Sequence, residues 1–193
     1  SARSSCTDPV PLSIPRSTLY TGSVVTLATL TVLVVDCQAT LAAPRGHVIE
    51  LGWAVTGREP LDVRARLVKL PDGERVPRAV ARITGITDAA LASEGVSPGE
   101  AWRELVAAAA AERLAPRPIP TVAHFARFER PLLAKLAGGA VPLDVVCTHE
   151  IALRLFPELP RRSLRALAGY FGRSVGRASE GGRARRRDGV RLV

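Results

Sequence analysis

An α/β fold, with a mixed β-sheet flanked by helices, is what this sequence predicts, and three observations carry that expectation. Leu30–Val35 is a continuous apolar run, as a central strand covered on both faces requires. Val63, Ala65 and Leu67 alternate with Arg64 and Arg66, the pattern of a half-exposed strand. Beyond residue 97, helical patterns alternate with short apolar runs, which implies strands joined through helices.

The elements follow in chain order. Residues 1–29 read as an irregular lead-in, because Pro9, Pro11 and Pro15 discourage regular structure. The apolar stretch Val24–Val35 is rich in β-branched residues and shorter than the ~20 residues of a membrane span. It also ends at Asp36 without a small-residue cleavage site, so its second half is read as a buried strand. His47–Val55 and Leu61–Leu70, joined across Thr56–Pro60, complete a three-strand antiparallel meander. Ser97 as N-cap, Pro98 at the first helical position and Glu100 as capping-box partner open a helix. Trp102, Leu105, Val106 and Ala109 form its apolar face. Ile119–Ala123 is a short strand, followed by a helix to about Ala137 that Gly138-Gly139 ends. Leu143–Cys147 is a last strand, and Thr148–Phe156 and Ser163–Phe171 are two further helices. The expected domain covers residues 30–172, and 173–193 form a basic Gly/Arg-rich tail.

Composition bounds the function. A chain of 193 residues with 47% hydrophobic content supports one ordinary domain with a core. Met is absent even at position 1, so the chain starts inside a longer reading frame or has been processed. The formal charge is +9, nearly all of it arginine, since Lys69 and Lys135 are the only lysines. Arginine forks grip phosphates bidentately, which suits a polyanionic partner, although a solvated basic surface explains the same count more simply. Cys6, Cys37 and Cys147 show neither zinc spacing nor a disulfide framework. Reduced, mostly buried thiols in a cytoplasmic protein are therefore expected.

The chemistry concentrates at two junctions. Asp36 and Gln38 close the first strand two residues apart and so share a face. That carboxyl edge of the sheet is where α/β proteins place ligands. His124 and Glu129 stand where the strand ending at Ala123 passes into its helix.

These residues carry a resemblance. Asp36-Cys37-Gln38-Ala39-Thr40 followed by Val48-Ile49-Glu50-Leu51-Gly52 resembles an Asp-x-Glu-Thr motif and the Ile-Glu-Ile-Gly-like strand after it. Thr84-Gly85-Ile86-Thr87 matches a Thr-Gly-Ile-Thr stretch, and His124-Phe125-Ala126-Arg127-Phe128-Glu129 resembles His-Asn-x-x-Phe-Asp. In that order, over roughly residues 30 to 172, they are similar to the DEDDh 3′–5′ exonucleases of the ribonuclease-H-like superfamily, which include the proofreading subunit of bacterial DNA polymerase III. The resemblance implies a ribonuclease-H-like sheet and hydrolysis of phosphodiester bonds at nucleic-acid 3′ ends. It also implies two Mg²⁺ or Mn²⁺ ions on clustered oxygen ligands flanking the scissile phosphate.

Carried over position by position, Asp36, Gln38, Glu129 and Asp188 are the candidate metal ligands. Thr40, Thr84, His124 and Arg127 are the candidate contacts to single-stranded DNA or RNA. The departures are specific. Gln38 stands where the family has Glu, and Glu129 where it has Asp. The third motif, His-x-Ala-x-x-Asp, survives only as Gly176-Arg177-Ala178 or Gly182-Arg183-Ala184, with Asp188 one residue late. No histidine follows His149, so the family's general base has no counterpart in this chain. Alternative readings stand beside these. Glu129 either faces the site or pairs with Arg127 or Arg130 on the helix surface. His124 is either a contact or a satisfied, partly buried histidine, and His149 is read as structural. The tract Arg183–Arg187 is either a solvated tail or a hold on phosphate backbone. A catalytically inactive relative that binds nucleic acid or a protein partner is the alternative function.

Overall fold

The fold was established as a computed structural model, which describes residues 31–57, 61–111, 120–139, 141 and 143–172. Five strands form one sheet in the order β3-β2-β1-β4-β5. They are β1 (Leu33–Ala39), β2 (Val48–Val55), β3 (Val63–Leu67), β4 (Thr121–Ala123) and β5 (Val145–Cys147). The first three pair antiparallel, and β4 and β5 run parallel to β1, as the sequence predicts. Among the described residues six helices accompany them: α1 (Arg78–Thr84), α2 (Asp88–Glu94), α3 (Pro98–Ala111), α4 (Ala126–Ala137), α5 (Thr148–Leu155) and α6 (Leu164–Tyr170).

The largest departure from expectation is the pair α1 and α2, read from sequence only as a Thr-Gly-Ile-Thr stretch. Helix α1 buries no residue, so it carries no apolar stripe for a periodicity argument to find. The stretch Thr84–Thr87 is the joint between the two helices. Gly85 takes the left-handed conformation that ends α1 (φ 75°), Ile86 enters the core, and the Thr87 hydroxyl accepts from the Ala90 amide to cap α2.

Strand β1 pairs with β2 through Ala39, so Asp36 and Gln38 lie in its closing residues, as the sequence predicts. Leu33, Val35 and Cys37 are buried and alternate with Val34, Asp36 and Gln38. The buried set packs with Leu51, Trp53, Leu105, Leu132 and Leu133 in the main core between the sheet and α3 and α4. On α3 the buried positions are Ala101, Leu105 and Ala109; Leu105 and Ala109 belong to the expected face, while Trp102 and Val106 are only half-buried. A smaller cluster of Ile49, Val76, Ile86 and Leu91 seats α1 and α2.

Candidate active site at the sheet edge

Three chain segments build a cleft of about 420 Å³, and each arrives there for a local reason. From β1 comes Asp36, whose Oδ2 accepts from the Gln38 side-chain amide at 3.0 Å. Gln38 is also the cross-strand partner of Glu50 on β2, and directly opposed residues of an antiparallel pair project to one face. From the β4–α4 junction come His124, Phe125, Arg127, Phe128 and Glu129. The chain turns there through Phe125, held left-handed at φ 60°, ψ 47°. The amide of Ala126, opening α4, donates to Cys147 Sγ at 3.4 Å, which ties the helix start to the end of β5. From α6 comes Leu164, which closes the wall.

Glu129 is the unusual group. Its residue is only 4% exposed, and its Oε2 is buried with no hydrogen-bond partner among the described residues. A bare carboxylate there loses hydration, so burial first, and the charge of Asp36 second, push its pKa up to about 8. The thiol and backbone of Cys37 oppose that rise without cancelling it. Burial also raises the Asp36 carboxyl, against the hydrogen bond from Gln38. It holds the Cys37 thiol well above its ordinary value, reinforced by Glu129. Two acids thus face one cleft, and burial makes each resist ionisation. A divalent cation would remove that resistance for both. Asp36, Glu129 and the amide oxygen of Gln38 are hard oxygen donors of the kind Mg²⁺ and Mn²⁺ take. With two carboxylates, this set fits one such ion better than two. Among the described residues, His, Cys, Asp and Glu form no cluster of three or more able to hold a metal.

The aromatic side of the cleft is equally ordered. His124 Nδ1 is hydrogen-bonded with Thr148 Oγ1 at 3.0 Å. The rings of Phe125 and His149 stack at 4.0 Å with an interplanar angle of 26°. The Arg127 guanidinium carbon lies 5.6 Å from the Phe125 centroid. Burial, followed by the charge of His149, lowers the His124 pKa.

Solved structures that share this architecture include exonucleases. The nuclease domain of 3′hExo, a DEDDh family member bound to rAMP, superposes with a TM-score of 0.61 at 14% identity, over 76% of this chain and 82% of that one. The fold is that of the DEDDh exonucleases. Escherichia coli exonuclease I in complex with a dT13 oligonucleotide is similar at TM-score 0.58 and 15% identity, over 76% of this chain. The chain spans only 37% of that enzyme's length. Its product-bound structure gives 0.59 and 16%. No protein-family model and no curated protein matches the sequence.

On this DEDDh-type fold, the structure brings together Asp36, Gln38, His124, Arg127 and Glu129. Thr40 and Thr84 stand apart from that group. The buried Thr40 hydroxyl accepts from the His47 amide at 3.0 Å and closes the β1–β2 connection. The Thr84 hydroxyl donates to the Val80 carbonyl and accepts from the Ile86 amide, inside the α1–α2 joint. Asp188 and the Gly/Arg-rich stretch lie outside the described residues. Between the two readings of Glu129, the geometry favours the cleft. Arg130 donates to the Val145 carbonyl and Arg127 lies beside Phe125, while Glu129 is buried. Sequence reasoning missed Phe125, Phe128 and Leu164 as cleft walls. Phe125 offered a signal, an aromatic where the resembled motif has Asn, but Leu164 arrives by tertiary closure alone.

Proposed function

We propose that this chain is a 3′–5′ exonuclease-type domain that takes the 3′ end of single-stranded DNA or RNA into the cleft between Asp36 and Glu129. One observation carries the reading: a deeply buried carboxyl oxygen without a partner, beside a second acid, opening onto a cleft at the edge of the sheet. Asp36 and Glu129, with Gln38 as a neutral third donor, would hold Mg²⁺ or Mn²⁺, and Asp188 is the further acid that would join them. Bound there, such an ion supplies Lewis acidity toward a phosphate oxygen and a more acidic water. The chain's own residues do the rest. Arg127, exposed at the rim, offers a fork to the backbone phosphate. His124, fixed by Thr148, presents a ring to the end of the strand. Gln38 holds the orientation of Asp36 through its amide. Buried, free Cys37 and Cys147 suit a reducing cytoplasmic location.

A specific observation favours a second reading. Where the resembled motif has a second acid on β1, Gln38 is neutral and directs its NH₂ at Asp36, and Glu129 favours its protonated form at neutral pH. A pseudo-exonuclease that binds a strand or a protein partner without turnover would tolerate both. Labelled single-stranded DNA and RNA with Mg²⁺ or Mn²⁺ separate the two. Digestion from the 3′ end that stops with EDTA, and that falls at least about a hundredfold in Asp36→Asn, is the expected outcome. Binding without digestion, indifferent to EDTA, establishes the second reading instead.

A further inference from the structure

A second cavity, of about 200 Å³, shares no lining residue with the acid cleft and opens onto the main core. Its floor is apolar and buried: Val48 from the start of β2, Val68 just past β3, and Leu132 and Leu136 from α4. Pro71 and Pro98 stand as exposed walls. The charge around this floor is one-sided. Among 27 lysines and arginines the sequence holds only two lysines, and both of them, Lys69 and Lys135, line this space. No acid is among its described lining residues. Lys135 is held in place: its Nζ donates to the Pro44 and Gly46 carbonyls at 3.3 and 2.9 Å and lies 3.3 Å from His47 Nε2. Carbonyl oxygens fix the ammonium but leave its charge uncancelled. Lys69 is exposed, and its position is set by the backbone, whose amide donates to the Val96 carbonyl at 2.9 Å. A lysine stem lies along apolar surface while its ammonium head stays free for an anion.

We propose that this cavity is a binding site for a small organic carboxylate, with its apolar body on the Val48, Val68, Leu132 and Leu136 floor and its carboxylate held by Lys69 and Lys135. Each half of the lining selects one half of the ligand. Apolar floor gains by covering at about 25 cal/mol per Å², which a bare anion does not supply. Two ammonium groups without an acid beside them gain from a negative charge, which a neutral apolar molecule does not supply. Size narrows the class further. The space is smaller than the ~300–1,000 Å³ of sites for drug-sized ligands, so the body is one ring or a short branched chain. The two sites have separate linings, so this assignment does not rest on the exonuclease reading.

The test uses 4-(trifluoromethyl)benzoate and its neutral counterpart 4-(trifluoromethyl)benzamide, titrated with the full chain and followed by ¹⁹F NMR. EDTA is present, so that no metal at the acid cleft captures the carboxylate. The wild type is expected to bind the benzoate about fivefold more tightly than the benzamide. Lys69→Met keeps the stem and removes the charge, and in it the two probes bind within about twofold of each other. A melting curve verifies its fold; should it melt early, Lys135→Met reads out the same loss from the other side of the cavity. Arg82→Gln removes an exposed positive charge from α1, outside the lining, and is expected to keep the wild-type preference. Equal binding of the two probes by the wild type, or no binding of either, overturns the site. So does an equal loss in Arg82→Gln, which would assign the preference to the basic surface as a whole. The exonuclease reading stands or falls separately, on digestion of the 3′ end.

Discussion

Replacing Glu129 by Gln isolates the energetic cost of the buried acid, because the amide keeps the shape and removes the ionisation. The Glu129 pKa is about 8 in the folded protein against an ordinary 4.5. The folded state therefore holds this proton more tightly than the unfolded chain does. That contribution to stability is fully present below pH 4.5 and is lost as pH rises through 8. Within the window the slope is about 1.4 kcal/mol per pH unit, and the total is on the order of 2–5 kcal/mol once relaxation and water entry are allowed. This is a large share of the ~5–15 kcal/mol that holds a domain of this size. Urea unfolding at pH 5, 6.5 and 8.5 in EDTA measures it. Wild type and Glu129→Gln are expected to be nearly equal at pH 5, with the variant more stable by roughly 2 kcal/mol or more at pH 8.5. Saturating Mn²⁺ at pH 8.5 is expected to restore the wild type and leave the variant unmoved, since a ligand that binds only the folded state stabilises it. Parallel pH profiles for the two proteins would refute the reasoning, because the buried carboxyl would then not be the titrating group.

Two further perturbations follow from the same structure. Gln38→Glu adds an acid beside Asp36, so Mg²⁺-dependent digestion is expected to rise about tenfold or more, while the EDTA-treated protein melts lower through like-charge repulsion; paired activity and melting measurements check both signs. Leu105→Ala opens a cavity in the main core, where Leu105 is fully buried; urea unfolding is expected to show a loss of about 2–5 kcal/mol.

Much of the sheet was legible because strand signals act locally. The alternation of Arg64 and Arg66 with apolar neighbours, and the punctuation at Gly138 and Gly172, needed no tertiary knowledge. The close of β1 at Asp36 and Gln38 was legible from the strand period of two, and pairing with Val48–Val55 carries the strand on to Ala39. Helix α1 escaped notice because it has no buried stripe. At the site, Asp36 and Glu129 could be paired from motif order alone. That the Glu129 oxygen is orphaned could not, since its burial depends on Cys37 and on α4 seating against the sheet.

Helix α4 has a property that reaches beyond its own residues. At its far end Lys135 donates to the Pro44 and Gly46 carbonyls of the β1–β2 connection, at 3.3 and 2.9 Å. Gly46 admits no side chain, because a Cβ there would sit 1.8 Å from the Leu41 carbonyl oxygen. Six positions along α4, through Pro131, carry the chain from Glu129 to Lys135, about 9 Å of helical rod. One helix therefore joins that bend to the cleft, and a substitution at Gly46 is expected to be felt at Glu129. Tolerance to change in this protein is set by the rod's anchorage as much as by the groups it carries.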